Sequence, residues 1–169
     1  MRYETIEKCE CVNGLNIGVS LWVCGCPLQC EGCHNSDIWD FNGGEKYTQE
    51  TEQQILNLIK PEYITRLSVL GGEPLIPQNY SGLAHLIKEA KVAKESIKIW
   101  LYTGYIYENL KKIEDEDLQY ILSHINYLVD GPYIESQRDI TLAFRGSRNQ
   151  RILRREGESF LDVTQSFDN

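Results

Sequence analysis

The 169-residue sequence lacks long apolar runs and has no excess of positive charge. No stretch approaches the roughly 18 to 20 apolar residues that a membrane-spanning helix needs. The segment Met1–Thr5 lacks the charged-then-apolar order of a secretory signal peptide, so we expect a cytoplasmic protein without a membrane partner. The net charge of −8 argues against general binding to nucleic acid. No Ser-His-Asp arrangement or phosphate-binding loop is evident.

Cysteine is absent from residues 34–169, because all six cysteines lie within the first 33 residues. A disulfide framework crowded into that segment would leave the rest of the chain without cross-links. Disulfides are also rare in the reducing cytosol, where closely spaced cysteines more often bind metal or carry out redox chemistry. The cysteine distribution therefore predicts a metal or redox site near the N-terminus.

The length limits the fold. A complete eightfold α/β barrel typically needs about 250 residues and rarely fewer than about 200, so any barrel here is partial. The composition, with 41% hydrophobic and 25% charged residues, is that of an ordinary globular protein. We expect a single domain over residues 1–169, with a core at about 12–135 and a C-terminal extension over 136–169.

Strand and helix patterns alternate along the chain. Period-two and short apolar patterns predict strands that start near residues 17, 65, 97 and 126. Helical patterns lie between them and are predicted to follow Thr48, to be capped by Ser81, and to span 105–112 and 115–124. Residues 141–144 and 151–154 are candidate edge strands. This order indicates right-handed βαβ units and predicts an α/β fold with four or more parallel strands.

The densest chemical motif is Cys-x3-Cys-x2-Cys, formed by Cys26, Cys30 and Cys33. A structural zinc site needs four protein ligands, which Cys24, His34, Cys9 or Cys11 could complete. A four-iron cluster is usually held by four cysteines, so three would leave one iron free to bind another molecule. On spacing alone both readings stay open.

A second motif, Gly71-Gly72-Glu73-Pro74, follows a predicted strand. By itself it is typical of an ordinary turn, although its glycines permit close backbone approach and its carboxylate suits an amine. The cysteine loop, this motif, Thr103-Gly104 and the Asp130 turn each follow a predicted parallel strand. Ligands bind at that edge of α/β sheets, so the sequence predicts one site built from these four loops.

These motifs together resemble a known superfamily. The three-cysteine motif followed by Gly-Gly-Glu-Pro is similar to the radical S-adenosylmethionine (SAM) superfamily. Residues 30–40, Cys-Glu-Gly-Cys-His-Asn-Ser-Asp-Ile-Trp-Asp, resemble its glycyl-radical activating enzymes. Residues 129–133 and 144–152 most closely resemble the activases of anaerobic ribonucleoside-triphosphate reductase. Gly32 departs from the superfamily, where an aromatic residue often precedes the third cysteine, but glycine is common in the reductase activases.

The resemblance implies a partial, open (β/α) barrel of the radical SAM type and a role for each motif. Cys26, Cys30 and Cys33 would hold one 4Fe-4S cluster, whose open iron binds the methionine end of SAM. The other implied SAM contacts are Gly32, His34, Gly71, Gly72, Glu73, Thr103 and Asp130. One-electron cleavage of SAM would give a 5′-deoxyadenosyl radical, which abstracts hydrogen from a glycine of the reductase. The implied partners are this reductase and a low-potential electron donor such as flavodoxin or ferredoxin.

Several features stay open at this point. The chain could activate another glycyl-radical enzyme, such as pyruvate formate-lyase, or could be a zinc-stabilised binding module without catalysis. Cys9, Cys11 and Cys24 are unassigned. Residues 138–155 carry six arginines against one aspartate. These arginines suit either an acidic partner surface, which we favour, or ion pairs with the acidic body of the chain.

Overall fold

The computed structural model describes residues 1–168 and places eight strands in one sheet, whereas Asn169 of the predicted domain lies outside the described residues. In chain order the strands and helices are β1 (Arg2–Glu10), β2 (Gly18–Val23), β3 (Glu45–Lys46), α1 (Gln49–Ile59), β4 (Arg66–Gly71), α2 (Pro77–Ala93), β5 (Lys98–Tyr102), α3 (Tyr107–Leu110), α4 (Glu116–His124), β6 (Tyr127–Asp130), β7 (Arg151–Glu156) and β8 (Ser159–Asp162). The mixed α/β class predicted from the alternation is confirmed.

The sheet is partly parallel and does not close on itself. Its strand order is β3-β1-β2-β4-β5-β6-β7-β8. The central strands β2, β4, β5 and β6 pair in parallel, and they start within one residue of the predicted positions. The outer pairs are antiparallel. Within the described residues, β3 and β8 lie at opposite ends of this order and do not pair with each other, so the structure confirms an open sheet.

The main hydrophobic core lies between the sheet and the helices α1, α2 and α4. Alternate side chains of the central strands, such as Leu67 and Val69 on β4 and Ile99 and Leu101 on β5, are fully buried in this core. The intervening residues lie on the opposite face, which no long helix covers. The four carboxyl ends of the parallel strands therefore meet at one edge, next to this helix-free face.

The helix-free face changes in character along the strands. Near the amino end of β4 the fully buried Arg66 donates to the Glu10 carboxylate at 2.6 Å and to the Ser68 hydroxyl at 2.9 Å. Trp100 then stacks on Tyr127, with 4.2 Å between ring centroids. The polar cluster and the aromatic layer occupy this face below the strand ends, and a cavity lies at the carboxyl edge.

Of the four predicted helices, α1, α3 and α4 begin within two residues of their predicted starts. Thr48 caps α1, since its hydroxyl accepts from the Thr51 amide at 3.3 Å, and Asp115 caps α4. The prediction that Ser81 caps α2 is wrong, because that helix already begins at Pro77. Proline suits the first helical position, where its missing N–H has no partner to lose. None of the helices within residues 1–168 is long and apolar enough to cross a membrane.

One of the two strands predicted in the C-terminal extension forms, but it is not an edge strand, because β8 pairs with it on its outer side. Residues 151–154 form most of β7, which pairs with β6 in antiparallel fashion. The prediction of a strand over 141–144 is wrong. The Asp139 carboxylate accepts from the Thr141 amide and hydroxyl, and Phe144 has a φ of +59°, which ends any extended run. Phe144 instead packs edge-on against Trp100.

Candidate active site

A single cavity lies at the carboxyl ends of β2, β4, β5 and β6, where the sequence predicts a site. The three motif cysteines and the Gly71–Glu73 turn all line it. Its lining residues are Cys26, Leu28, Cys30, Cys33, Asn35, Trp39, Leu70, Gly71, Gly72, Glu73, Tyr102, Thr103, Gly104, Val129, Gly131, Tyr133 and Gln150. The fold thus brings together seven of the ten predicted site residues, while Gly32, His34 and Asp130 lie outside this lining.

The cysteine loop follows β2 and is held at its base by peptide hydrogen bonds. The amide of Gly25 donates to Ile38 at 2.9 Å, and the amide of Cys26 donates to Trp39 at 3.1 Å. Within the loop, the Cys33 amide donates to the Cys30 carbonyl at 3.1 Å. The loop is therefore a closed turn that presents its cysteines toward the cavity.

The three thiols differ in exposure. Cys26 is buried, whereas Cys30 and Cys33 are half-buried. Burial raises the pKa of the Cys26 thiol, and the amides of Leu28 and Gln29 oppose that rise by hydrogen bonding to its sulfur. Such N–H groups also stabilise the charge of a metal-bound thiolate. Residues 1–168 contain no group of three His, Cys, Asp or Glu side chains gathered around one point as a single ion requires.

The turn after β4 is bonded directly to the cysteine loop. The amide of Gly72 donates to Val23 and the amide of Glu73 donates to Gly25, both at 2.8 Å. A Cβ atom at Gly72 would lie 2.4 Å from the Gly25 carbonyl oxygen, which is closer than any real contact. Glycine at this position therefore allows the two backbones to touch, and the cysteines sit beside the turn as a result.

The Glu73 carboxyl is almost fully buried and joins the ends of β4 and β5. Its oxygens accept from the Thr103 hydroxyl at 2.7 Å, the Gly104 amide at 2.7 Å and the Leu75 amide at 2.8 Å. Burial raises the pKa of Glu73 to about 7, although these three donors favour the ionised form. The Glu73 oxygens therefore already accept three hydrogen bonds from the chain itself.

Asp130 is held by the C-terminal extension. Its fully buried carboxylate accepts from the Arg151 guanidinium at 2.5 and 2.9 Å and from the Tyr107 amide at 2.9 Å. Arg151 also pairs with Glu108 on α3. This network fixes the end of β6 against α3 and β7, next to the cavity.

Gly32 and His34 flank the third cysteine and lie outside the cavity. Gly32 has a φ of +69°, and a Cβ atom there would lie 2.2 Å from a carboxylate oxygen of Glu135. The positive φ favours glycine here, whereas the Glu135 carboxylate ends a flexible side chain that can move aside. His34 is exposed to solvent.

The sequence reasoning missed several cavity residues. Leu70, Tyr102 and Val129 lie on the helix-free face at the ends of three strands. Strand alternation could have identified them, because side chains two residues apart share a face. Tyr133 and Gln150 had no such signal. They reach the cavity because the Gln150 side chain donates to the Gly131 carbonyl at 3.1 Å and folds the extension back.

The arginine-rich segment bonds mainly within its own chain, as the second of the two expectations has it, and docking of an acidic partner stays a prediction. Five of its six arginines bond to groups within residues 1–168. The ion pairs are Arg145 with Asp168, Arg148 with Asp139, Arg151 with Asp130 and Glu108, and Arg154 with Glu156. Arg155 donates to the Ile125 carbonyl at 2.8 Å and lies over the Phe160 ring. Arg151 and Arg155 therefore join the extension to the rest of the fold, whereas the other three arginines pair within the extension.

The three unassigned cysteines lie away from the cavity. Cys9 is the second-last residue of β1 and is exposed, as is Cys11. Cys24 is buried beside Glu4, and burial raises the pKa of its thiol. None of the three lines the cavity.

Comparison with known proteins agrees with this geometry. The family model of the 4Fe-4S single cluster domain matches residues 12–153. A relative from Vibrio cholerae is 39% identical over 91% of this chain and 98% of its own length. Relatives from Enterobacteria phage T4 and Escherichia coli are 35% and 34% identical, each over 90% of this chain and at least 93% of their own. All three are named anaerobic ribonucleoside-triphosphate reductase-activating proteins. The chain therefore belongs to the 4Fe-4S single cluster domain family and to the anaerobic ribonucleoside-triphosphate reductase-activating proteins.

Proposed function

We propose that the protein activates anaerobic ribonucleoside-triphosphate reductase by using a 4Fe-4S cluster and SAM to form a glycyl radical on the reductase. One observation carries the proposal. In a member of this family, three cysteines and a Gly-Gly-Glu turn line the same cavity at the ends of parallel strands. The helix-free face and open sheet fit a partial barrel of the radical SAM type, whose missing side leaves room for a loop of the reductase.

Cys26, Cys30 and Cys33 would hold the cluster. When bound, the cluster and SAM supply the chemistry: one electron cleaves SAM to methionine and a 5′-deoxyadenosyl radical, which takes hydrogen from a glycine of the reductase. Thiolates are soft ligands that bind the iron atoms of an iron–sulfur cluster. The amides of Leu28 and Gln29 would stabilise the negative charge on Cys26.

The turn after β4 would receive the methionine amino group through Gly71 and Gly72. Glu73 would mainly hold the turn in place, because its carboxyl accepts hydrogen bonds from Thr103, Gly104 and Leu75. Thr103 would support the site through Glu73. Gly32 and His34 would contact SAM only from the rim of the cysteine loop, and Asp130 would act through the end of β6.

The cavity wall also has a chemical role. Leu70, Val129 and Trp39 give it an apolar surface. An apolar wall excludes water and so limits side reactions of a reactive alkyl radical before it meets its target. We further propose that the protein works in the cytoplasm, where flavodoxin or ferredoxin supplies the electron.

Two alternatives predict different results. A zinc-stabilised module needs about four ligands converging on one ion, and residues 1–168 contain no such group. A cluster places each thiolate on a different iron, so it does not require that convergence. An activase of pyruvate formate-lyase would use the same cavity, but the relatives described above bear the name of the reductase.

The test is anaerobic reconstitution with iron and sulfide, followed by dithionite and SAM. We expect about four irons per chain and release of 5′-deoxyadenosine. With the reductase present we expect a glycyl-radical signal in electron paramagnetic resonance, and none with pyruvate formate-lyase. Cys30→Ala should lose both the cluster and SAM cleavage. Cys11→Ala, which removes an exposed thiol outside the cavity, is the matched control. A single zinc, or wild-type protein that cannot cleave SAM, would refute the proposal.

A further inference from the structure

Asn35 lies two residues after the third cysteine, and its bonds join the two motifs of the cavity. Its peptide N–H donates to the Cys33 sulfur at 3.4 Å, and its side-chain amide nitrogen donates to the Gly71 carbonyl at 3.3 Å. Its own carbonyl accepts from the Ile38 amide at 3.2 Å in a short 3₁₀ turn. Asn35 is therefore held between the cysteine loop and the turn after β4.

The bond to Gly71 determines which way the Asn35 side-chain amide faces. A carbonyl oxygen accepts only from the NH2 side of an amide group, so the Oδ1 atom is turned away from the Gly71 oxygen. Oδ1 accepts no hydrogen bond from residues 1–168. The residue is half-buried, and Oδ1 is not one of the buried side-chain atoms that lack a partner in this part of the chain. This oxygen is therefore accessible.

The other carboxylate and amide oxygens of the cavity lining are already engaged. The Glu73 carboxyl is 1% exposed and accepts from three donors of the chain. The Gln150 amide oxygen accepts from the Gly146 and Ser147 amides at 2.9 and 3.2 Å. Within residues 1–168, Asn35 thus supplies the accessible amide oxygen of this lining.

The ligand group expected beside the turn needs acceptors. The methionine end of SAM carries an amino group with several N–H donors, and the proposed site receives it at Gly71 and Gly72. The Gly71 carbonyl already accepts one bond from Asn35. An N–H group that loses water without gaining an acceptor costs free energy, so a free amide oxygen next to the turn favours binding of the amino group.

We propose that the Asn35 side-chain oxygen accepts a hydrogen bond from the amino group of SAM, while its nitrogen holds the Gly71 carbonyl. This inference rests on the proposed function and adds a ligand contact to it. One side of the amide then touches SAM and the other fixes the turn. Because the peptide N–H of Asn35 also bonds to Cys33, the same residue relates the amino-group site to the third thiol.

A purely positioning role is the rival interpretation. In that case the Asn35 oxygen meets only water, and the bond from its nitrogen to Gly71 is what matters. Asn35→Ala removes both sides of the amide. Asn35→Asp has the same shape and keeps an oxygen acceptor, but it cannot donate to the Gly71 carbonyl. The two variants therefore separate the contact from the positioning bond.

The measurement is the affinity of the reconstituted protein for SAM. We expect Asn35→Ala to bind SAM roughly tenfold more weakly than the wild type, as for a lost hydrogen bond. We expect Asn35→Asp to stay within about threefold of the wild type, because a carboxylate accepts strongly from an amino group. Asn42→Ala and Asn42→Asp make the same changes at an exposed asparagine outside the cavity and should leave the affinity unchanged.

Three outcomes would overturn the inference. Unchanged affinity in Asn35→Ala would mean that the side chain does not act on SAM, and an Asn35→Asp variant as weak as Asn35→Ala would indicate positioning alone. Iron content is measured first and should match the wild type, because the three cysteines are retained. Loss of iron in both variants would show that Asn35 serves only the cysteine loop. Failure of the proposed function looks different, because then the wild type itself does not bind SAM.

Discussion

The Thr103 hydroxyl donates to the Glu73 carboxylate at 2.7 Å and so links the ends of two neighbouring parallel strands. The same hydroxyl accepts from the Tyr105 amide at 3.1 Å, which makes it the centre of a short chain of bonds. All of these groups lie at the edge of the cavity. The position of the turn after β4 therefore depends on Thr103, which directly follows β5.

Replacement of Thr103 by valine keeps the shape but removes the hydroxyl. We expect a loss of about 1 to 3 kcal/mol in the free energy of unfolding, because a buried carboxyl loses a donor. We also expect the pKa of Glu73 to rise further, since this hydrogen bond lowers it. Thr103→Ser retains the hydroxyl and is the control. Urea unfolding of both variants measures the difference, and equal stability would show that the bond contributes little.

Glu73 should make stability depend on pH. Its pKa is about 7 in the folded chain and near 4.5 in the unfolded chain, so the folded state holds the proton more tightly. The contribution is fully present below about pH 4.5 and is lost as the pH rises through 7, by up to about 3 kcal/mol. Glu73→Gln should remove this part of the slope.

The measurement for Glu73 is the free energy of unfolding of the iron-free chain at several values from pH 5 to 8. Glu73→Gln will also lower stability at all pH values, because the new amide NH2 group faces hydrogen-bond donors that the carboxylate accepted from. The comparison is therefore between the slopes of stability against pH, and not between the absolute stabilities. Glu158→Gln changes an exposed carboxyl and serves as the control. Parallel slopes for wild type and Glu73→Gln would contradict the raised pKa.

Gly72→Ala should separate the turn from the cysteine loop. Its Cβ would lie 2.4 Å from the Gly25 carbonyl, so one backbone must move, at a cost of about 1 to 3 kcal/mol. We expect poor iron incorporation on reconstitution. The control is Gly82→Ala in α2, where the nearest atom lies 3.8 Å away and alanine should stabilise the helix by about 0.5 to 1 kcal/mol. Normal iron content in Gly72→Ala would show that the loop tolerates the shift.

Arg151→Met should destabilise the protein by about 3 to 5 kcal/mol, because it leaves the buried Asp130 carboxylate unpaired. Adding Asp130→Asn removes that charge and should restore part of the loss. Thermal unfolding of the two single variants and the double variant gives the coupling between them. Independent, additive losses would mean that the ion pair does not hold the end of β6.

Much of the fold could be predicted because local patterns and burial agree. The four parallel strands carry alternating or short apolar patterns, and Thr48 and Asp115 are typical helix caps. Ser81 misled the prediction, because α2 starts at Pro77 with Ile76 as a cap that makes no side-chain bond. The strand β1 escaped notice, because its half-exposed, charged sequence becomes extended only by pairing with β2.

The site was predictable where chemistry is carried by consecutive residues. The cysteines and the Gly71–Glu73 turn are local motifs, and their meeting follows from the parallel sheet. The bonds of Asp130 to Arg151 and of Gln150 to Gly131 join segments about 20 residues apart. Such contacts depend on how the extension folds back, which no short pattern determines.

The cysteine loop and the turn after β4 are joined through peptide groups of Val23, Gly25, Gly72 and Glu73. Peptide groups are the same whatever side chains the residues carry, so this joint can persist while the surrounding sequence drifts. Only the glycines at the closest approach are constrained. Most of the side chains around the joint can therefore change without altering the distance between the thiols and the turn.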